Sequence, residues 1–310
     1  MNSGPTHQKF GENFSLKIYF YLLNDTDTPL QMNKLTKILS IGYGNMGKPF
    51  LSPLLKSGLN EITVVTPNTT PSAEFKHFRD IAKVQDCFDM VIFACKPYQI
   101  DSILDNLDFS LYHDDTLFVS ILAGTPREYF WSRLGKKAKV AVIMPNLPVK
   151  LGKGVLGVLY EERLPMFDPL GKMIYVKTQN DINKITAMFG SGSGFVYHIL
   201  ASYKKAIQEM DIDMGSEIND GANSKDLTLG LFEGAIELAR SESSTELETL
   251  RKRVMSKKGT TEQGIIAMED LDKFFLKGGN AAYQRGIEIA QELNEKSAQK
   301  FEVEKKFGES

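Results

Sequence analysis

The chain has 310 residues, of which 42% are hydrophobic and 25% charged, and its formal net charge is -2. That length suits two domains, each with room for its own core, and the absence of a strongly basic block argues against nucleic acid or an anionic membrane as partner. Two cysteines, Cys87 and Cys95, make no disulfide framework and suit a reducing cytoplasm, while His7, His77, His113 and His198 are too scattered to bind a metal.

In chain order, residues 15–23 are apolar but far short of the ~20 residues of a membrane span, and they lack the basic leader of a signal peptide. Residues 24–31 read as a polar linker, so residues 1–31 are expected to be a loose tail or to precede the native start. Residues 37–41 (KILSI) read as a strand. A helical stretch follows to Leu55, closed by Gly58. Residues 61–65 read as a second strand and 74–83 as a helix. Continuous apolar runs at 89–95, 116–122 and 140–144 are those of strands buried on both faces. The spacing predicts α/β architecture: an N-terminal Rossmann domain over 32–180, built on a doubly wound parallel sheet. Beyond about residue 180 helical periodicity dominates, at 195–210, 225–240, 244–253, 262–276 and 279–300, so 181–310 reads as an all-α domain.

Gly42-Tyr43-Gly44-Asn45-Met46-Gly47 is a G-x-G-x-x-G between the first strand and its helix, the context in which that motif signals a dinucleotide. Gly42 permits the tight turn, Gly44 lets a pyrophosphate approach bare backbone, and Gly47 lets helix and strand pack closely. The helix start then offers N–H groups to the phosphates. At the end of the second strand, Thr66 to Thr70 contain no carboxylate. Thr66 and Asn68 offer donors there instead, which favours NADP(H) and leaves NAD(H) usable. Lys76 and Arg79 lie within reach of a 2′-phosphate but read as solvated helix charges.

Further segments, in order, resemble pyrroline-5-carboxylate reductase. They are Ala94-Cys95-Lys96-Pro97, Val119 to Gly124 (VSILAG), Met144-Pro145-Asn146-Leu147-Pro148, Thr186 to Gly192 (TAMFGSG) and Ser256 to Thr261 (SKKGTT). The resemblance runs from about Met32 to the end. It departs from the family pattern at Val142, Leu147, Ser193, Gly194, Lys257, Lys258, Glu262 and Gln263.

The resemblance implies NAD(P)H-dependent reduction of 1-pyrroline-5-carboxylate to L-proline. It implies that Ala94, Cys95, Lys96, Pro97, Ala123 and Asn146 border the cofactor with the 42–47 turn. Ser256, Gly259, Thr260 and Thr261 would hold the substrate carboxylate, with the Thr261 hydroxyl near the imine nitrogen. The helical domain would form a homodimer, or a higher homo-oligomer, with the substrate turn near its interface. The broad apolar stripe Leu227, Leu229, Leu231, Phe232, Ile236, Leu238 suits such an interface, or alternatively a monomer's core. Two other readings stay open: a related Rossmann reductase using Lys204 or Lys205 on another substrate, and a non-catalytic cofactor-binding homologue. Cys95 reads as a small core residue and His198 as a packed one.

Overall fold

The computed structural model describes residues 36–58, 60–67, 74–210 and 223–307, without the side chains of 109 and 293–307. The tail expected over 1–31 lies outside the described residues. Eight strands, β1 Thr36–Ile41, β2 Asn60–Val65, β3 Lys76–Phe78, β4 Phe88–Phe93, β5 Tyr112–Ser120, β6 Lys139–Met144, β7 Gly154–Leu159 and β8 Gly171–Val176, form one sheet. Its order is β3-β2-β1-β4-β5-β6-β7-β8, and all ladders are parallel except β6 against β7. Successive side chains of β1 enter opposite cores, because a strand alternates its faces. Ile38 joins Phe50, Leu51 and Leu54 of helix α1 (Gly47–Lys56). Leu39 and Ile41 join Ile100 of α2 (Ile100–Asp105) and Phe130 of α3 (Arg127–Leu134). The continuous apolar runs are therefore central strands covered on both faces.

The helix expected over 74–83 is not formed. Lys76, His77 and Phe78 pair with Thr63, Val64 and Val65 as an edge strand, and Ile81–Lys83 make a 3-10 turn that Asp80 caps. Phe75 is buried against Tyr43, with ring centroids 4.9 Å apart. Lys76 Nζ reaches Glu61 Oε1 at 2.8 Å and Asp86 Oδ2 at 3.4 Å. These non-local contacts override the weak helical propensity of a short segment.

Strands β7 and β8 carry glycines where packing leaves no room. A Cβ on Gly157 would come within 2.7 Å of Ile185 Cγ2, and Gly171 takes φ +138°. Where the chain leaves β5, Thr125 is buried and its hydroxyl has no hydrogen-bond partner among the described residues. A buried unpaired hydroxyl is destabilising, so Thr125→Val is expected to raise stability by about 1 kcal/mol and Tm by about 2–4 °C. Thermal unfolding measures this; a lower Tm would mean that the hydroxyl has a partner.

After β8 the described chain is helical: α4 Gln179–Ile185, a π-helical turn Thr186–Gly190, α5 Gly192–Glu209, α6 Ser224–Ser241, α7 Leu247–Arg253, α8 Thr260–Ala267 and α9 Leu271–Phe307. The stretch expected to be one helix over 262–276 divides at residues 268–270, where Leu271 N bonds Met268 O. The stretch expected over 279–300 is part of α9 and does not stop at Gly278-Gly279. Gly279 is buried, and a Cβ there would lie 2.5 Å from Met188 Sδ, so the glycine serves close packing and not termination. Helices α5, α7 and α8 bury no residue, and α6 buries Thr228 alone. Leu231 and Leu238 are 53% and 59% exposed. The broad apolar stripe of α6 is therefore not a monomer's core.

Candidate functional site

In the sheet order β1 lies between β2 and β4. The chain runs outward in opposite directions on either side, so a crevice opens at the carboxyl ends of β1 and β4. The 42–47 turn stands at this crevice. Gly42 has φ +111°, and a Cβ there would come within 2.7 Å of Cys95 N. Its N–H donates to Val65 O at 2.8 Å. At Gly47 a Cβ would lie 3.0 Å from Gly42 O and 3.1 Å from Ala94 Cβ. Both glycines are thus demanded by the chain itself. Gly44 is not: it is exposed, and a Cβ there would meet nothing within 4 Å. The space over its backbone is open to an external group.

The start of α1 is equally open. Met46 is its N-cap, no side chain caps it, and no acidic residue lies in its first turn. The first N–H groups of a helix have no partner within the helix, and the helix dipole favours an anion there. Tyr43, Gly44 and Asn45 face a hollow of about 380 Å³ that Lys48, Ser52 and Lys150 also line. The two lysines were not singled out from the sequence. The available signal was Lys48 in the first turn of α1, the unfavourable end of a helix for a cation. Burial, and then the Glu74 charge, hold the Tyr43 phenol above its ordinary pKa.

The other cofactor candidates fall along the same edge. Thr66 follows β2, with its N–H on Phe78 O at 3.0 Å and its carbonyl 3.0 Å from His77 Nε2. Asn68 lies outside the described residues. The ion pairs of Lys76 hold it along the sheet edge, while Arg79 is exposed. Ala94 N donates to Ile41 O at 2.9 Å, which seats Ala94 against Gly42 and Gly47. Burial pushes the Cys95 thiol up to about 12, so it stays protonated and unreactive at neutral pH. Lys96 N donates to Gln99 Oε1 at 3.0 Å, and Pro97 opens a 3-10 turn. Ala123 is exposed after β5. Asn146 is buried after β6, and its side chain serves the chain's own backbone. Nδ2 donates to Phe189 O at 3.2 Å and Oδ1 accepts from Val155 N at 3.1 Å. It clamps the end of β6 to β7 and to the π-helical turn.

The structure does not bring the 256–261 turn to this edge by any hydrogen bond among the described residues. The turn's bonds are local: Gly259 N to Ser256 O at 2.8 Å, and Lys258 N to Glu262 Oε2 at 2.6 Å. Lys258 takes φ +61°, left-handed for a side chain that disfavours it. A Cβ on Gly259 would collide with Ser256 Oγ. Gly259 is the N-cap of α8 with no side-chain cap, and Ser256, Thr260 and Thr261 are exposed. Of the alternative lysines, Lys205 pairs with Glu209 at 3.4 Å on the surface of α5. His198 is exposed there in the single chain. Among the described residues no group of acidic, His or Cys side chains could hold a metal ion, and no helix is long and apolar enough to cross a membrane.

A Rossmann sheet with an open phosphate turn, joined to helices that leave their apolar faces uncovered, defines a two-part dinucleotide-binding oxidoreductase. Residues 37–124 match the family model "NADP oxidoreductase coenzyme F420-dependent", and residues 179–289 match "Pyrroline-5-carboxylate reductase dimerisation". The chain is similar to pyrroline-5-carboxylate reductases across both of its halves. It is 27% identical over 277 residues to the pyrroline-5-carboxylate reductase of Staphylococcus haemolyticus, spanning 82% of this chain and 98% of that one. Among solved structures it is similar to that of Coxiella burnetii (TM-score 0.68, 25% identity, 83% of this chain and 99% of that one). It also shares the fold of the Plasmodium falciparum enzyme, solved with NADP bound (TM-score 0.70, 19% identity, 82% and 98%). The helical half is a homo-oligomerisation domain.

Proposed function

We propose that the chain is an NADP(H)-dependent pyrroline-5-carboxylate reductase, with NAD(H) also usable, working as a homodimer in the cytoplasm. The observation that carries this reading is the bare backbone at Gly44 beside an uncapped helix start, at the switch point of the sheet. Residues 32–180 form its cofactor domain and 181–310 its substrate and dimerisation domain. When bound, the reduced nicotinamide would supply a hydride to the imine carbon of 1-pyrroline-5-carboxylate, whose nitrogen is already protonated, so that C=N–H+ becomes the CH–NH of L-proline. The protein's own work is positional. Gly42 to Gly47 hold the phosphates on main-chain amides, and Lys48 and Lys150 add positive charge to the hollow beside them. Ala94 to Pro97, Ala123 and the segment clamped by Asn146 border the remainder of the dinucleotide. Gly259, Thr260 and Thr261 offer the first N–H groups of α8 to the substrate carboxylate, and Ser256 shapes the turn. This turn reaches the cofactor across the dimer interface. NADP use in the P. falciparum relative and the absence of a carboxylate at Thr66 and Pro67 support the cofactor preference.

Oxidation of NADPH on addition of 1-pyrroline-5-carboxylate tests the reading, and turnover is expected. The Lys258 N–H held by Glu262 favours one other reading, a cofactor-binding homologue whose substrate turn no longer works; cofactor binding without turnover would establish it. Thr261→Ala removes one hydroxyl bond to the reacting imine, an effect of about 1.4 kcal/mol or tenfold in kcat. Its NADPH affinity should stay at the wild-type value. Equal loss in cofactor affinity would place Thr261 elsewhere.

A further inference from the structure

Helix α9 touches both halves of the described structure. Near its start Gly279 packs on Met188, and one turn later Tyr283 Oη donates to Asn180 Oδ1 at 2.5 Å. Further along, α9 meets the loop that leaves β5. A Cβ on Gly124 would lie 2.8 Å from Ile289 Cγ2, 3.4 Å from Ile289 Cβ and 3.5 Å from Ala290 N. Gly279, Tyr283 and Ala290 share one helix face, with Ile289 at its margin. Gly124 is thus glycine for two independent reasons: its φ is +74°, and the branched side chain of Ile289 fills the space a Cβ would need. The contact pins the segment running from exposed Ala123 to buried Thr125, at the carboxyl end of β5. The next strand, β4, flanks the crevice. The amino end of the same helix follows α8 after three residues, so one rigid element runs from the substrate turn's helix to the cofactor loop.

We propose that Ile289 is a positioning residue for cofactor binding. It presses on Gly124 and holds the Ala123 loop in the shape that accepts the nicotinamide half of the dinucleotide. This rests on the cofactor reading above. Ile289 itself touches no cofactor and acts through the loop, where tight packing transmits the shape of a neighbour. Removing Cγ1, Cγ2 and Cδ1 frees Gly124, whose left-handed backbone has no side chain to limit its movement.

The test is NADPH titration by fluorescence on the full chain, with kinetics beside it. Ile289→Ala is expected to raise the Kd and KM for NADPH about fivefold, with the KM for 1-pyrroline-5-carboxylate and the oligomer mass unchanged. Ile289→Val keeps Cγ2, the atom nearest Gly124, and should restore wild-type affinity. An Ile289→Ala protein that melts earlier yet binds NADPH with wild-type affinity would reduce Ile289 to packing and overturn the inference. So would equal losses in both KM values, or a valine variant as weak as the alanine one. If the unaltered protein itself binds no NADPH, the cofactor reading fails, and this inference fails with it.

Discussion

Gly44→Asp is expected to abolish NADPH binding while leaving the fold and Tm as they are. The two halves of that statement have separate physical causes. The folded chain has room for the side chain, because a Cβ at Gly44 meets nothing within 4 Å. The ligand does not: a carboxylate would project into the space that a pyrophosphate must share with the first N–H groups of α1. Like charges about 4 Å apart near a protein surface repel by about 4 kcal/mol, about a thousandfold in affinity, before the steric overlap is counted. Gly42→Ala is a useful contrast, since its Cβ would meet the backbone of Ala94 and Cys95 at a φ suited to glycine. That variant should lose stability as well as binding. Fluorescence titration and thermal unfolding, run together, separate the two. A Gly44→Asp protein that still binds NADPH tightly would remove the phosphate turn from the mechanism.

The double variant Leu231→Glu/Leu238→Glu is expected to convert the oligomer to monomer and to remove turnover. These residues lie seven positions apart on α6, on one face, and both are more than half exposed in the single chain. A partner that covers this face buries them, and burying a carboxylate without a counter-charge costs several kcal/mol. With two such sites in each protomer, the dissociation constant should rise more than about a thousandfold. The phosphate turn lies in the sheet half, so NADPH binding by the monomer should survive while reduction is lost. Sedimentation equilibrium with an NADPH titration reads both; an intact dimer would show that α6 is not the interface.

How far the sequence spoke depended on whether a residue's reason was local. The turn at 42–47 was legible because glycine at fixed intervals is demanded by backbone geometry a few residues away. The central strands were legible because both of their faces are covered, which leaves continuous apolar runs. Residues 74–83 misled because Phe75 and Phe78, three apart, fit a helix as well as the edge strand, whose ladder Phe78 joins and Phe75 precedes, and that ladder depends on residues before 66. Strands β7 and β8 carry glycines, whose reason is to make room for Ile185 and for each other's backbone, contacts that no local pattern reveals. In the site, Asn146 was visible as important, but its bonds to Phe189 and Val155 span distances in sequence that no local pattern encodes. The stripe on α6 reads identically whether its cover comes from the same chain or from a second copy.

The short edge strand β3 bears on how copies of this protein meet. Only three residues long, it carries an ion-paired lysine at its first position. A foreign strand would find few free main-chain groups there and a charge that resists being stripped of water. At the opposite margin, Lys172 on β8 is exposed. With both rims of the sheet poor templates for added strands, self-association is left to the helices, whose side-chain complementarity can close on a fixed number of copies and does not grow into an open stack.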